Sequence, residues 1–272
     1  SNREIINRIY LPKFFNLLTY FSLIYIQIIK LKWEFNLMKK TIVLTGGSKG
    51  MGRSTLLKFA ENDFNIFTCS RKKTDLKLVE DEIKKVNPNI VFSSIEADLS
   101  QKEGCNKFVE FVNSNTNNID VLVNNVGTFV PGELMSEDEN ALEFMINTNL
   151  YSNYWVTRGF SKKFINQKFG HIFNICSIAS KVAYENGGSY CISKFALYGF
   201  SQCLREEFKK LNIKVTAVLP GATRTGSWDG TSLPDERFIN VDDVAKSIFS
   251  AYDTSPGATV EEIVIRPQLG DI

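Results

Sequence analysis

The 272 residues carry 32 Lys and Arg against 30 Asp and Glu, a formal charge of +2, with 43% hydrophobic and 23% charged side chains. This balance excludes a global attraction to nucleic acid, and no compact basic patch with interleaved aromatics stands out. The length suits one large α/β domain or two small ones, and five scattered cysteines with no C-x-x-C pair read as the reduced thiols of a cytoplasmic protein.

In chain order, residues 1–37 come first. The run FFNLLTYFSLIYIQIIKL (14–31) is apolar enough to suggest an anchor or signal segment. It nevertheless carries Asn16, Thr19, Ser22, Gln27 and Lys30, and no small-residue cleavage site follows. Residues 1–37 contain no glycine, alanine or valine, a bias that looks like translated AT-rich sequence, and Met38-Lys39-Lys40 reads as a start before a strand. The expectation is a non-native or dispensable extension over 1–37, with a membrane anchor in 14–31 as the alternative, then a single domain over 38–272.

From residue 40, strand-like runs alternate with amphipathic helical runs. KTIVLTGG (40–47) predicts a strand, GRSTLLKFAEN (52–62) a helix and FNIFTCSR (64–71) a second strand. A helix over 75–87 is stopped by Pro88, and 90–100 reads as strand then turn. A helix over 102–114, a strand over 119–127 and two helices around 137–151 and 152–167 follow. The strand 171–176 opens on His171, the one histidine, read as a strand-end residue; its solitude excludes a His-rich metal site and makes a Ser-His-Asp triad improbable. A helix over 189–211, a strand over 213–220, a helix over 241–253 and a strand over 260–267 complete the chain. Such alternation predicts parallel β-α-β units: one doubly wound α/β domain, a parallel sheet of about seven strands with helices on both faces.

Ligands of such sheets bind beyond the carboxyl ends of the strands, and the unusual residues gather there. TGGSKGMG (45–52) sets Gly46, Gly50 and Gly52 between strand and helix, where backbone N–H groups can approach a pyrophosphate. Alone it is equally a Gly-rich turn; no G-K-[ST] follows, which disfavours a P-loop. The second strand ends Cys69-Ser70-Arg71-Lys72-Lys73 with no carboxylate until Asp75. Arg71 suits a 2′-phosphate and Lys49 adds a second cation, whereas Lys72 and Lys73 read as solvated turn charges. Tyr190 precedes Lys194 by one helical turn, a weak signal alone because such pairs meet anyway. A cation there lowers the pKa of a tyrosine from its usual value of about 10, and Ser177, leaving the fifth strand, can donate to a substrate oxygen. Tyr184 and Tyr198 have no lysine four residues later; Cys176 and Cys191 read as packing residues, and Ser180 and Ser193 as structural.

In order and interval these motifs resemble the short-chain dehydrogenase/reductase family over residues 40–272. They are T-G-x-x-x-G-x-G at 45–52, Asp98 in ADL, NNVG (124–127) for N-N-A-G, Asn149 in INTNL, Ser177, Tyr190, Lys194, and PGATRT (220–225) for P-G-x-x-x-T. Val126 departs from the usual alanine and Cys176 from a common second serine. The resemblance implies a Rossmann-like fold and a catalytic tetrad of Asn149, Ser177, Tyr190 and Lys194, with Asn149 interrupting a helix and holding a water in a relay toward Lys194. It implies cofactor contacts from Gly46, Ser48, Lys49, Gly50, Met51 and Gly52 in the first loop and from Ser70 and Arg71 at the second strand. Asp98 would bond adenine with Leu99 beside it. Asn125 and Gly127 would line the ribose side while Asn124 braces the sheet. Pro220, Gly221, Thr223 and Thr225 would lie at the carboxamide, and Tyr190 and Lys194 at the nicotinamide ribose.

Family members with both basic residues prefer NADPH, so NADPH/NADP+ is expected over NADH. The expected activity is reduction of a ketone or aldehyde to an alcohol, hydride coming from NADPH and the proton from Tyr190. Alternatives are a 3-oxoacyl thioester reductase acting on an acyl carrier protein, an NAD(P)+-dependent alcohol dehydrogenase, and a dinucleotide-sensing scaffold without turnover; the last would be expected to have lost Tyr190 or Lys194. Substrate selection is assigned to 223–238. Phe129 and Trp228 are candidate lining residues, Trp228 being equally a subunit contact or core anchor. The short loop suits a small ketone, sugar ketone or acyl thioester. A homodimer or homotetramer built through 137–167 and 189–211 is expected, with no metal and no nucleic acid.

Overall fold

Every residue of β1 (Thr41–Thr45) is buried, because side chains alternate along a strand and helices cover both faces of the sheet. Ile42 and Leu44 enter one core with Leu56, Phe59, Val79, Ile83, Val244 and Ile248. Val43 enters the other, with Phe108, Val112, Val156, Phe160, Phe164 and Phe208. The same division holds in β4 (Val121–Asn124) and β5 (His171–Ile175), where Val123 and Phe173 face the first core and Leu122 and Ile172 the second. The structure, a computed structural model, describes residues 39–272; the expectations for residues 1–37 lie outside the described residues.

The remaining strands are β2 (Asn65–Ser70), β3 (Phe92–Glu96), β6 (Lys214–Pro220) and β7 (Glu262–Ile265). They pair in parallel in the order β3-β2-β1-β4-β5-β6-β7. The order reverses between β1 and β4, so the crevice at their carboxyl ends is the switch point where such sheets bind ligands. α1 (Gly50–Glu61), α2 (Lys73–Val86) and α7 (Val241–Tyr252) serve the first core. α3 (Lys102–Asn115), α5 (Ser152–Gln167) and α6 (Gly188–Phe208) serve the second.

Two expected elements differ. The helix placed from residue 137 begins only at α4 (Ala141–Ile146), because the Ser136 and Glu137 N–H groups turn back to the Glu133 carbonyl at 2.9 and 2.8 Å. It then passes through a π-helical turn, Asn147–Tyr151, into α5; Ser152 N–H donates five residues back to Asn147. The fourth strand ends at Asn124 rather than 127, since the Asn125 and Val126 N–H groups leave the ladder for the Thr45 hydroxyl at 2.9 and 3.1 Å. Among the described residues no helix is long and apolar enough to cross a membrane, and no group of His, Cys, Asp and Glu is placed to hold a metal.

His171 is fixed by the strand behind it. Thr216 Oγ1 donates to the Val260 carbonyl (2.5 Å) and therefore accepts from His171 Nε2–H (2.7 Å), leaving Nδ1 buried with no partner among the described residues. The ring stacks on Phe173 at 4.0 Å, and burial pulls its pKa down to about 3. A base whose folded pKa lies below its unfolded value near 6.5 takes up a proton only on unfolding. Its stabilising contribution is complete above that value and falls as pH drops toward 3, by up to about 1.4 kcal/mol per pH unit. His171→Gln is expected to flatten stability against pH across that window; parallel denaturation curves for the two proteins would overturn the assignment.

Candidate active site

The glycine loop is built around backbone. Gly46 and Gly50 have φ of +72° and +53°, where a side chain is strained. A Cβ on Gly52 would lie 2.4 Å from the Gly46 carbonyl oxygen and 2.6 Å from Asn125 Nδ2. Asn125 spends its amide here, donating to the Thr45 and Gly46 carbonyls at 3.0 Å each, so it shapes the loop. Ser48 and Ser70 share a hydrogen bond (2.9 Å) that ties the loop to the end of β2. Met51, in the first turn of α1, packs against the first core, and its carbonyl accepts from Thr55 Oγ1 (2.7 Å). Thr225 reaches the loop from the far side, its Cγ2 3.1 Å from where a Gly50 Cβ would stand. Glycine thus lets the loop pack closely on Asn125, Val126 and Thr225 and brings its backbone to the start of α1, an arrangement that fits a dinucleotide pyrophosphate.

At the outer end, Arg71 is exposed and forms no ion pair among the described residues; it lines a cavity of about 410 Å³ with Asp98, Gln101 and Lys107. Lys49 differs from expectation: its ammonium pairs with Asp75 at 3.1 Å, so that charge is already shared. Asp98 Oδ1 accepts from the Ser100 N–H and hydroxyl (3.0 and 2.9 Å), which steadies the turn that buries Leu99. Pro220 is buried at the end of β6, Gly221 N–H donates to Ile265 (2.8 Å), and buried Thr223 donates to the Gly221 carbonyl (3.0 Å).

At the inner end, the four candidate catalytic residues converge. Ser177 accepts from Ala179 N–H (3.1 Å) while Ser180 Oγ accepts from Ser177 N–H (3.2 Å), and the Ser177 hydroxyl lies near enough to the Tyr190 phenol to pull its pKa down. Lys194 is buried, donates to the Ile175 carbonyl (2.9 Å) and lies 5.8 Å from the Tyr190 ring centroid. A Cβ on Gly127 would stand 3.3 Å from both Lys194 Nζ and Asn149 Oδ1, so the exposed Gly127 opens this corner. Asn149 sits in the π turn with its side chain fully engaged, accepting from Thr128 N–H (2.7 Å) and donating to Thr128 O (3.0 Å) and Ser193 Oγ (2.8 Å). The helix interruption implied at Asn149 is therefore present.

The electrostatics correct one expectation. Burial raises the Tyr190 pKa and the Ser177 hydrogen bond only partly opposes it, so the phenol is not tuned downward by Lys194. Lys194 itself is pulled down to about 8 by burial, since desolvation disfavours the charged form of either group.

Two residues beyond the expected set connect the site. Ser193, read as structural, receives Asn149 and donates to the Tyr190 carbonyl at 2.7 Å; its place one turn from Tyr190 was the available signal. Glu137 reaches Ser189 from 52 residues away, and no local pattern announces it. Asn124 braces the sheet as expected, donating to Thr157 Oγ1 and Asn174 Oδ1 at 2.8 Å each. Phe129 stands edge-on to the Tyr190 ring at 4.9 Å. Trp228 packs on buried Phe238 at 5.1 Å, an anchor for its own loop.

Residues 40–234 match the family model described as short chain dehydrogenase. The chain is 31% identical over 245 residues to a sepiapterin reductase of Chlorobaculum tepidum, covering 86% of this chain and 99% of that protein. It is 30% identical over 207 residues to a diacetyl reductase [(S)-acetoin forming] of Staphylococcus epidermidis, covering 76% and 79%. Among solved structures, a metagenomic short-chain oxidoreductase in complex with NADP aligns with a TM-score of 0.73 at 27% identity, over 84% of this chain and 97% of that one. ElxO with NADP bound aligns at 0.75 and 26%, over 85% and 98%. With the glycine loop, the switch-point crevice and the Ser177–Tyr190–Lys194 corner on one sheet edge, the match assigns this chain to the short-chain dehydrogenase family, as an oxidoreductase.

Proposed function

We propose that the protein reduces a small, uncharged ketone or aldehyde with NADPH, and that Tyr190 delivers the proton to the carbonyl oxygen. One observation carries the reading: the Tyr190 phenol, with Ser177 beside it and the Lys194 ammonium 5.8 Å from its ring centroid, stands at the inner end of the crevice that the glycine loop borders. NADPH, when bound, supplies hydride. Burial holds Tyr190 protonated at neutral pH, the state a donor needs, and Ser177 orients the accepting oxygen. Lys194 binds the ribose and keeps positive charge behind the phenol; Arg71, exposed just past β2 and without an ion pair among the described residues, binds the 2′-phosphate. The NADP held by solved relatives supports that choice.

Substrate charge is suggested by the segment 128–140, which carries Glu133, Glu137, Asp138 and Glu139 and no Lys or Arg. An anionic carbonyl, or the acidic carrier of an acyl thioester, finds no cation there, whereas Phe129 and Tyr184, 37% and 45% exposed, offer apolar rings. Exposed apolar residues on α4 to α6, among them Phe144, Tyr151, Ile192 and Phe195, support a homo-oligomer. Free thiols throughout support a cytoplasmic site of action.

A panel of neutral ketones, aldehydes and diketones with anionic analogues, assayed by NADPH oxidation beside NADH, tests this. Turnover of neutral members with NADPH at roughly tenfold or greater preference over NADH is expected; no oxidation across the panel would overturn it. Because kcat/KM reports the free enzyme, the value for NADPH is expected to hold through neutral pH. It then falls as Lys194 loses its proton near pH 8; a limb at pH 10 or above would show Lys194 fully charged in the free protein.

A further inference from the structure

The segment 128–140 is fastened at both ends to catalytic elements. At its start the Asn149 side chain takes both the N–H and the carbonyl of Thr128. Near its far end the Glu137 carboxylate accepts from Ser189 N–H (3.3 Å) and from the Ser189 hydroxyl. Ser189 is fully buried in the first turn of α6, and the next residue is Tyr190.

That turn lacks a cap of its own. The N-cap is Gly187, which has no side-chain acceptor, although the first N–H groups of a helix have no partner within it. Glu137 supplies, from a distant segment, the acceptor that an Asp or Ser N-cap ordinarily provides, and its charge suits the positive end of the helix. The fit extends to the backbone. Gly132 N–H donates to the Asn186 carbonyl (3.0 Å), and Gly132 and Gly187 form a parallel bridge. A Cβ on Gly188 would stand 2.6 Å from the Gly132 carbonyl oxygen and 2.7 Å from Glu137 Oε2, so only glycine lets the segment lie this close. Between the two fastenings lies Phe129, edge-on to Tyr190.

We propose that Glu137 is a positioning residue, whose carboxylate clamps the first turn of α6 to the 128–140 segment and thereby sets Tyr190 against Ser177 and Phe129. The proposal rests on Tyr190 being the proton donor. Glu137 touches no reacting atom, and its contacts do not run through the glycine loop or Arg71, so its loss reaches proton delivery while leaving cofactor capture in place.

The test compares Glu137→Ala, Glu137→Gln and Ser189→Ala in the full chain. Its readouts are kcat and KM on a carbonyl the wild type reduces, NADPH affinity by fluorescence, and amide hydrogen exchange over 184–195. Glu137→Ala is expected to lower kcat by roughly tenfold to a hundredfold, since small misplacements of a reacting group cost that much. NADPH affinity should stay within about twofold, and exchange should quicken in the first turn of α6. Glu137→Gln, whose amide oxygen still accepts from Ser189 N–H, should recover kcat to within about threefold of wild type. Adding Ser189→Ala to Glu137→Ala should cost little more, because the two act through one contact.

A kcat for Glu137→Ala within about twofold of wild type would overturn the proposal, as would unchanged exchange in the first turn. A loss that glutamine does not restore, with exchange quickened across the whole domain, would assign Glu137 to general stability and overturn it equally. Failure of the carbonyl-reduction reading is distinct: the wild type would then reduce nothing, while the exchange comparison still decides the clamp.

Discussion

Tyr190→Phe is expected to lower turnover by roughly three orders of magnitude, within the range that a positioned acid contributes, while NADPH affinity stays within about twofold. Phenylalanine keeps the edge-on contact with Phe129 and the face presented to Lys194, so packing survives. What goes is the phenol hydroxyl that stands beside Ser177 and that burial keeps protonated. Single-turnover NADPH oxidation separates this from a binding defect. A variant retaining a tenth or more of wild-type kcat would remove Tyr190 from the chemistry.

Arg71→Asp should weaken NADPH by roughly a hundredfold and NADH only slightly, because a charge-assisted bond to phosphate is replaced by like-charge repulsion. Arg71 carries this weight because it is exposed, lines the cavity beside Asp98 and forms no ion pair among the described residues, whereas Lys49 is shared with Asp75 at 3.1 Å. Fluorescence titration of both cofactors decides it. Equal losses for NADPH and NADH would show that Arg71 does not read the 2′-phosphate.

The alternation of strands and helices was legible because strands covered on both faces are written as short apolar runs, and the helices between them as amphipathic ones. The motif residues follow from that alternation, since each sits where the chain leaves a strand at one edge. Three features were not legible, and for physical reasons. The partner of Ser189 is Glu137, and Lys49 meets Asp75 across two helix starts; neither pairing has a local period. The direction of the Tyr190 shift depends on how much water the folded site excludes, which residue spacing does not encode. Helix starts suffered likewise: residues 137–140 have helical composition, yet the Asn140 N–H is taken by the Asp138 side chain and the Glu137 carboxylate by Ser189.

The π turn at Asn147–Tyr151 has a consequence for how this chain can change. Such a turn amounts to one residue more than a regular helix holds over the same length. Deleting any one of its five residues would let α4 and α5 fuse into an unbroken and more regular rod. The flanks would stay nearly in phase, because only the extra residue is removed, but the widened turn that lets Asn149 face Thr128 and Ser193 together would be lost. The irregular turn is thus a place where greater stability and the working site exclude one another, and selection for heat resistance would be expected to leave it alone only while activity is also required.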